Sequence, residues 1–97
     1  MIIVHVEHYL NEAGRIYFPQ WLSEIADVLR SFEGFETIAQ LVDVEDENAC
    51  HLLLEFESLP LLRAWSKSEA HDEMIGRLEP YRFKKQRSKV FEKRPNV

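Results

Sequence analysis

Apolar residues fall at two spacings along this chain, and each switch between them marks a new element. Residues 2–10 alternate, with Ile2, Val4, Val6, His8 and Leu10 on one side and Ile3, His5, Glu7 and Tyr9 on the other. That is the period of a half-buried strand. Asn11-Glu12-Ala13-Gly14 reads as a turn. Apolar positions then recur at helical spacing through Phe18, Trp21, Leu22, Ile25, Val28, Leu29 and Phe32, with Pro19 acceptable only near the first turn. Gly34 follows, where a helix end favours a left-handed residue.

Two more strands are predicted over Phe35–Val44 and Ala49–Glu57, joined by the acidic turn Glu45-Asp46-Glu47-Asn48 as a hairpin. In the second of them Cys50, Leu52, Leu54 and Phe56 share a face, and His51, Leu53, Glu55 and Glu57 share the other. The strand stops at Ser58-Leu59-Pro60. A short amphipathic helical segment carrying Trp65 follows, and Ser66-Lys67-Ser68 is a polar break. His71 opens a new apolar stripe with Met74, Ile75 and Leu78 at one-face spacing. Pro80 closes that helix, and Tyr81–Phe91 forms a last strand, with residues 93–97 left as a tail.

The order strand, helix, strand, strand, helix, strand is the ferredoxin-like α+β motif. Right-handed crossovers place both helices on one face of a four-stranded antiparallel sheet. The opposite face then shows Glu7, Glu55 and Glu57 beside Ile3, Tyr9 and Leu53, joined by either Lys85, Arg87 and Lys89 or the opposite set of the last strand. Half apolar and half charged, that face predicts a self-complementary homodimer surface.

Composition narrows the class. Ninety-seven residues, 45% apolar and 30% charged, suit one globular domain spanning 1–97. No window offers the roughly 18 apolar residues of a membrane helix. The start MIIVHVEHYL lacks the basic flank of a signal peptide, and Cys50 has no disulfide partner in the chain, so a cytoplasmic location is expected. The net charge of −5 hides a division: residues 1–81 carry 5 basic and 16 acidic side chains, and residues 82–97 carry 7 and 1. The cations alternate with Phe83, Val90 and Phe91, which reads as a strand pairing with an acidic sheet rather than as a nucleic-acid tail. Four histidines without CxxC, HxxxH or a carboxylate at ligand spacing give no metal site, and no Gly-rich loop for a dinucleotide or phosphate is present.

The candidate chemistry lies between helices and sheet. His71 is either a hydrogen-bonded core residue or a pocket acid–base group, since a neutral imidazole can give and accept a proton near pH 7. Trp65 is core, or it turns its indole to a ligand. In an unbroken helix the six steps of ~100° between them put Trp65 and His71 on different faces, so only a real break at Ser66–Ser68 lets both line one cavity. His8 is expected on the helix side of the first strand as a pocket wall or a satisfied polar group. Phe56 and Met74 would line the same space. His5 and His51 fall on the opposite face.

The chain resembles the antibiotic biosynthesis monooxygenase family of small dimeric α/β barrels. The resemblance rests on the short first strand ending in Asn-Glu-Ala-Gly, the helix from Trp21-Leu22 to Gly34-Phe35, and Leu54-Glu55-Phe56-Glu57-Ser58 followed by Leu62 to His71. It implies a small oxygenase needing no cofactor, acting on an electron-rich cyclic or phenolic molecule, with Trp65 orienting the ring and His71 or His8 as the base. A non-catalytic ligand-binding dimer is the alternative from another class. The haem-degrading branch is the other alternative. Its first-strand Asn is replaced here by His8, and the spacing from Trp65 to His71 is shorter than that branch leads one to expect.

Overall fold

In the computed structural model, which describes residues 1–94, the chain forms β1 (Ile2–Leu10), α1 (Glu12–Leu29), β2 (Phe35–Asp43), β3 (Asp46–Phe56), α2 (Leu59–Ser66), α3 (Glu69–Leu78) and β4 (Arg82–Glu92). A 3₁₀ turn at Glu79–Tyr81 leads into β4. The sheet order is β2-β3-β1-β4 with every neighbouring pair antiparallel, the ferredoxin-like α+β arrangement predicted. Of the predicted tail, residues 95–97 lie outside the described residues.

Three local expectations need correction. The segment after β1 is not a free turn: Asn11 caps α1, its Oδ1 accepting from the Gly14 N–H at 2.9 Å, so the helix starts at Glu12. Gly14 is needed there, because a Cβ would stand 2.6 Å from Tyr81 Cβ and 2.9 Å from Leu10 Cβ. Pro19 therefore lies inside α1, where it is exposed, and its missing donor faces water rather than the core. The β2–β3 hairpin is tighter than expected. Asp43 pairs with Asp46, and the Asp43 carboxylate accepts from the Glu45 N–H at 2.9 Å, so Asp46, Glu47 and Asn48 belong to β3.

Gly34 does take a left-handed conformation at φ +85°, but it comes after the loop that follows the Arg30 cap. Its carbonyl accepts from the Glu57 N–H at 2.8 Å, tying the start of β2 to the end of β3. A side chain there would also meet Leu61 Cδ1 at 2.5 Å.

The core lies between the sheet and the helices. α1 buries Phe18, Trp21, Ile25 and Leu29; β1 and β3 present Ile2, Val4, Leu10, Leu52, Leu54 and Phe56 from the inward face. Cys50 is buried on that face, and burial pushes its thiol pKa up, so it packs as an unreactive apolar group. The register of β4 decides the question its sequence left open. Arg87 pairs with Glu7 and Lys89 with His5, so the cations share the outer face and the alternate set, including Gln86 and Ser88, turns toward the helices.

The cations do not pair with the acidic sheet as expected. Among the described residues no ion pair joins Lys84, Lys85, Arg87 or Lys89 to a carboxylate, whereas Arg82 reaches Glu79 at 3.9 Å and Arg94 reaches Glu92 at 3.6 Å. Lys84 instead lies over the Tyr9 ring at 4.8 Å. Solvated charges on an open face gain little by pairing, so each keeps its water.

Candidate active site

The site is built where the second helical region breaks. Ser58 caps α2, its hydroxyl accepting from the Leu61 N–H at 3.4 Å, and α2 ends after two turns at Lys67. Ser68 then caps α3: its Oγ accepts from the His71 N–H at 3.1 Å and donates to the Trp65 carbonyl at 2.7 Å. One hydroxyl thus closes the end of one helix and the start of the next. The turn brings the Trp65 and His71 rings to 5.3 Å, edge to face at 89°. Phe32 packs edge-on against Trp65 from the loop after α1, at 4.9 Å.

Between these helices and the sheet lies a cavity of ≈ 100 Å³. Its deep walls are apolar: Val4 and Val6 of β1, Leu52 and Leu54 of β3, Ile25 of α1 and Leu62 of α2. Trp65, His71 and His8 all line it, as the sequence predicted for a broken helix. Exposed Ser66 and Ser88 mark its mouth, between the α2–α3 turn and β4, with Gln86 beside them. Sequence reasoning missed these three polar residues. The signal was the alternation of β4, which needed the register to say which set faces inward.

His8 is 2% exposed and stands against the rings of Trp21 at 5.2 Å and Phe18 at 5.9 Å. Its Nδ1 has no hydrogen-bond partner. Burial, with smaller contributions from the positive charge of Arg82 and from His71, lowers its pKa from 6.5 to about 4, so the ring is neutral at pH 7. His71 is more accessible, its side chain 26% exposed, with Nδ1 3.5 Å from Asp72 Oδ1. The Trp21 indole N–H is occupied, donating to the Met74 carbonyl at 2.8 Å.

Two predicted wall residues lie elsewhere. Phe56 is fully buried against Phe35, ring centroids 6.1 Å apart, and Met74 is 1% exposed in the packing of α3 against α1; neither lines the cavity. The cause is depth: Phe56 is the last residue of β3, and Met74 is buried in the core on α3, where its backbone carbonyl takes the Trp21 indole N–H. On the outer face His5 and His51 stack at 5.0 Å with Nε2 and Nδ1 2.8 Å apart, as the strand alternation requires.

Residues 1–77 match the family model described as antibiotic biosynthesis monooxygenase. The chain belongs to that family. Among curated proteins nothing matches it by sequence. Solved structures extend the likeness to the whole fold of this antibiotic biosynthesis monooxygenase domain. A candidate antibiotic biosynthesis monooxygenase from Deinococcus radiodurans is 14% identical with a TM-score of 0.86, over 100% of this chain and 96% of that one. A conserved protein from Methanosarcina mazei is 15% identical with a TM-score of 0.83, over 96% and 92%. SnoaB, a cofactor-independent oxygenase from Streptomyces nogalater, is 11% identical with a TM-score of 0.79, over 99% and 96%. At such identities the shared property is the fold.

The cavity does not fit haem. Its ≈ 100 Å³ lies far below the ~300–1,000 Å³ of sites that take drug-sized ligands. Among the described residues no group of three or more His, Cys, Asp or Glu is placed to hold a metal ion, and no helix is long and apolar enough to cross a membrane.

Proposed function

We propose that this domain is a small monooxygenase that oxidises an electron-rich cyclic or phenolic molecule without a bound cofactor. The observation that carries the reading is the convergence of Trp65, His71 and His8 on one apolar cavity between helices and sheet. In it, the His71 imidazole takes a proton from an acidic C–H of the substrate ring. The carbanion passes one electron to O₂, and the radical pair combines to a peroxide. Loss of water then leaves a carbonyl where a CH₂ stood, so substrate and O₂ give ketone and water. Trp65 holds the ring, and the apolar walls raise the energy of the unsolvated carbanion toward electron transfer. His71 is the better base of the two histidines, because a group titrating at about 4, as His8 does, is a weak proton acceptor.

The domain acts as a cytoplasmic homodimer joined through the outer sheet face. There Phe83, beside Tyr9, and Phe91 and Leu41 are 71%, 47% and 39% exposed, and Arg87 and Lys89, in no ion pair among the described residues, lie on the same face as Glu7 and Glu55. A second copy supplies both the cover for the aromatics and the opposite charges.

Oxygen uptake with a panel of hydroxylated and keto-form aromatic rings tests the activity. Turnover that falls at least about tenfold in Trp65→Phe, with melting unchanged, is the expected result. Saturable binding of the same rings with no oxygen uptake would assign the cavity to a non-catalytic ligand-binding dimer. A Soret shift on adding haem would overturn the cofactor-free reading.

A further inference from the structure

Four side chains on the outer sheet face form one chain of polar contacts that the proposed reaction does not use. Tyr9 donates its hydroxyl to Glu7 Oε1 at 3.2 Å, and Glu7 Oε2 stands 4.0 Å from His51 Nε2. His51 Nδ1 in turn meets His5 Nε2 at 2.8 Å, with the ring planes 20° apart. A contact of that length between imidazole nitrogens is a hydrogen bond, so one ring donates and the other accepts. The bond holds one proton. With both rings fully protonated, N–H would face N–H and the contact would open.

The surrounding charges decide how many protons the pair keeps. A first extra proton makes an imidazolium beside the Glu7 carboxylate. A second finds no such partner. On β4, Lys89 stands opposite His5 and Arg87 opposite Glu7, both positive, and Lys84 lies over the Tyr9 ring. On β3, Glu55 lies opposite Ile3 and already accepts from the Thr37 hydroxyl at 3.1 Å. On β2, Leu41 and Ala39 oppose His51 and Leu53 and carry no charge.

We propose that the His5–His51 pair makes the contact between two copies of this chain sensitive to pH, tight at neutral pH and weaker on acidification. The proposal rests on the reading of this face as the dimer contact and adds the group that controls assembly. In the single chain His5, Glu7, Tyr9 and His51 are only half-buried, so water reaches the cluster. A second copy removes that water, and a charge without a counter-ion then becomes costly. The free chain therefore accepts the second proton that the dimer excludes. Because the dimer binds fewer protons than two free chains, association strengthens as the pH rises and weakens as it falls. Each proton taken up on dissociation changes the dissociation constant by up to about tenfold per pH unit, and a dimer contains two such pairs.

The test is sedimentation of the full chain at pH 7.5 and 5.5, for the wild type and the double variant His5→Gln, His51→Gln. Glutamine keeps hydrogen bonding but takes up no proton in this range. Imidazoles titrate between these values, whereas most carboxylates and amines do not. His8 and His71 stay in both proteins and line the cavity on the other side of the sheet, so they serve as an internal control. The wild-type dissociation constant should be at least about tenfold weaker at pH 5.5, and that of the variant should change by less than about twofold. Equal constants at the two pH values in the wild type, or the same weakening in the variant, would overturn the proposal. A second measurement needs no variant and serves if the double variant fails to fold. Wild-type dimer is diluted in a calorimeter at pH 6 in two buffers of different ionisation enthalpy, and the heats should differ by the uptake of about one to two protons per dimer. Equal heats would also sink the switch. The two readings fail separately: a dimer of the same strength at both pH values keeps the contact and loses the switch. A wild type that stays monomeric at pH 7.5 and micromolar concentration removes the contact, and the switch with it.

Discussion

Trp65 and His71 meet edge to face, ring centroids 5.3 Å apart, because Ser68 joins their backbones through one hydroxyl. On a continuous helix the two would point to different sides. The α2–α3 break is therefore what makes a cavity with both an indole and an imidazole, and Ser68 supplies the hydrogen bonds that shape it.

The Ser68 bridge can be tested directly. Ser68→Ala removes the α3 cap and the donor to the Trp65 carbonyl, and should destabilise the domain by about 1–2 kcal/mol. For a domain of this size that is a fall of roughly 4–8 °C in Tm for each kcal/mol. Ser68→Asp keeps an acceptor for the His71 N–H but has no proton for Trp65, so it should recover most of the stability and little of the ligand affinity. Urea denaturation and ring binding on both variants check this. Equal loss of affinity and stability in the two would mean that packing, not the hydroxyl, sets the angle of the break.

The break was legible in the chain because Ser66-Lys67-Ser68 interrupts two apolar stripes whose phases disagree. The strand faces were legible for the same reason: period-2 alternation put His8 inside and His5 with His51 outside, where the structure places them. The start of α1 was not. Asn11-Glu12-Ala13-Gly14 has turn composition, and only the close approach of Tyr81 to Gly14, a contact distant in sequence, explains why a glycine sits in a helix's first turn. Phe56 and Met74 show the limit for the site. Sharing a face with pocket residues says which layer a side chain enters, but not how far along the layer the opening lies.

His71 should reveal its role through rate rather than stability. His71→Gln keeps approximate size and hydrogen bonding but cannot take a proton at neutral pH. A general base typically contributes 10²–10⁴-fold, so kcat/KM should fall by about that much. The side chain is 26% exposed, so melting should change by less than a few degrees. Full activity in His71→Gln would remove the residue from the mechanism.

The proposed dimer would rest on the outer face, where Leu53 is a half-buried apolar residue of β3, opposite His5 of β1 and Ala39 of β2. The wild type should sediment at about twice the 11.5 kDa chain mass at micromolar concentration. Leu53→Asp adds a carboxylate to a face that already carries Glu7 and Glu55, and two copies meeting there bring like charges together. It should sediment as a monomer with the far-ultraviolet spectrum of the wild type. A wild-type monomer, or a dimer that survives Leu53→Asp, would place the contact elsewhere.

His8 gives the chain a pH dependence of defined sign. Its pKa is about 4 in the folded protein against 6.5 for an ordinary histidine, so between these values the unfolded chain binds more protons than the folded one. Stability from this residue is complete above pH 6.5 and is lost as the pH falls toward 4. At about 1.4 kcal/mol per pH step, the loss across the window is on the order of 3 kcal/mol. Carboxylates also titrate as the pH approaches 4, so the informative quantity is the difference between the wild type and His8→Leu, which share every other group. Unfolding free energies from urea titrations at pH 7, 6, 5 and 4 should draw apart as the pH falls, because the wild type loses stability faster than the variant. Leucine also removes the orphaned Nδ1, so His8→Leu should be at least as stable as the wild type at pH 7 despite losing the imidazole's packing. Parallel stability curves for the two proteins would mean that His8 is solvated in the folded state, which contradicts its burial against Phe18 and Trp21.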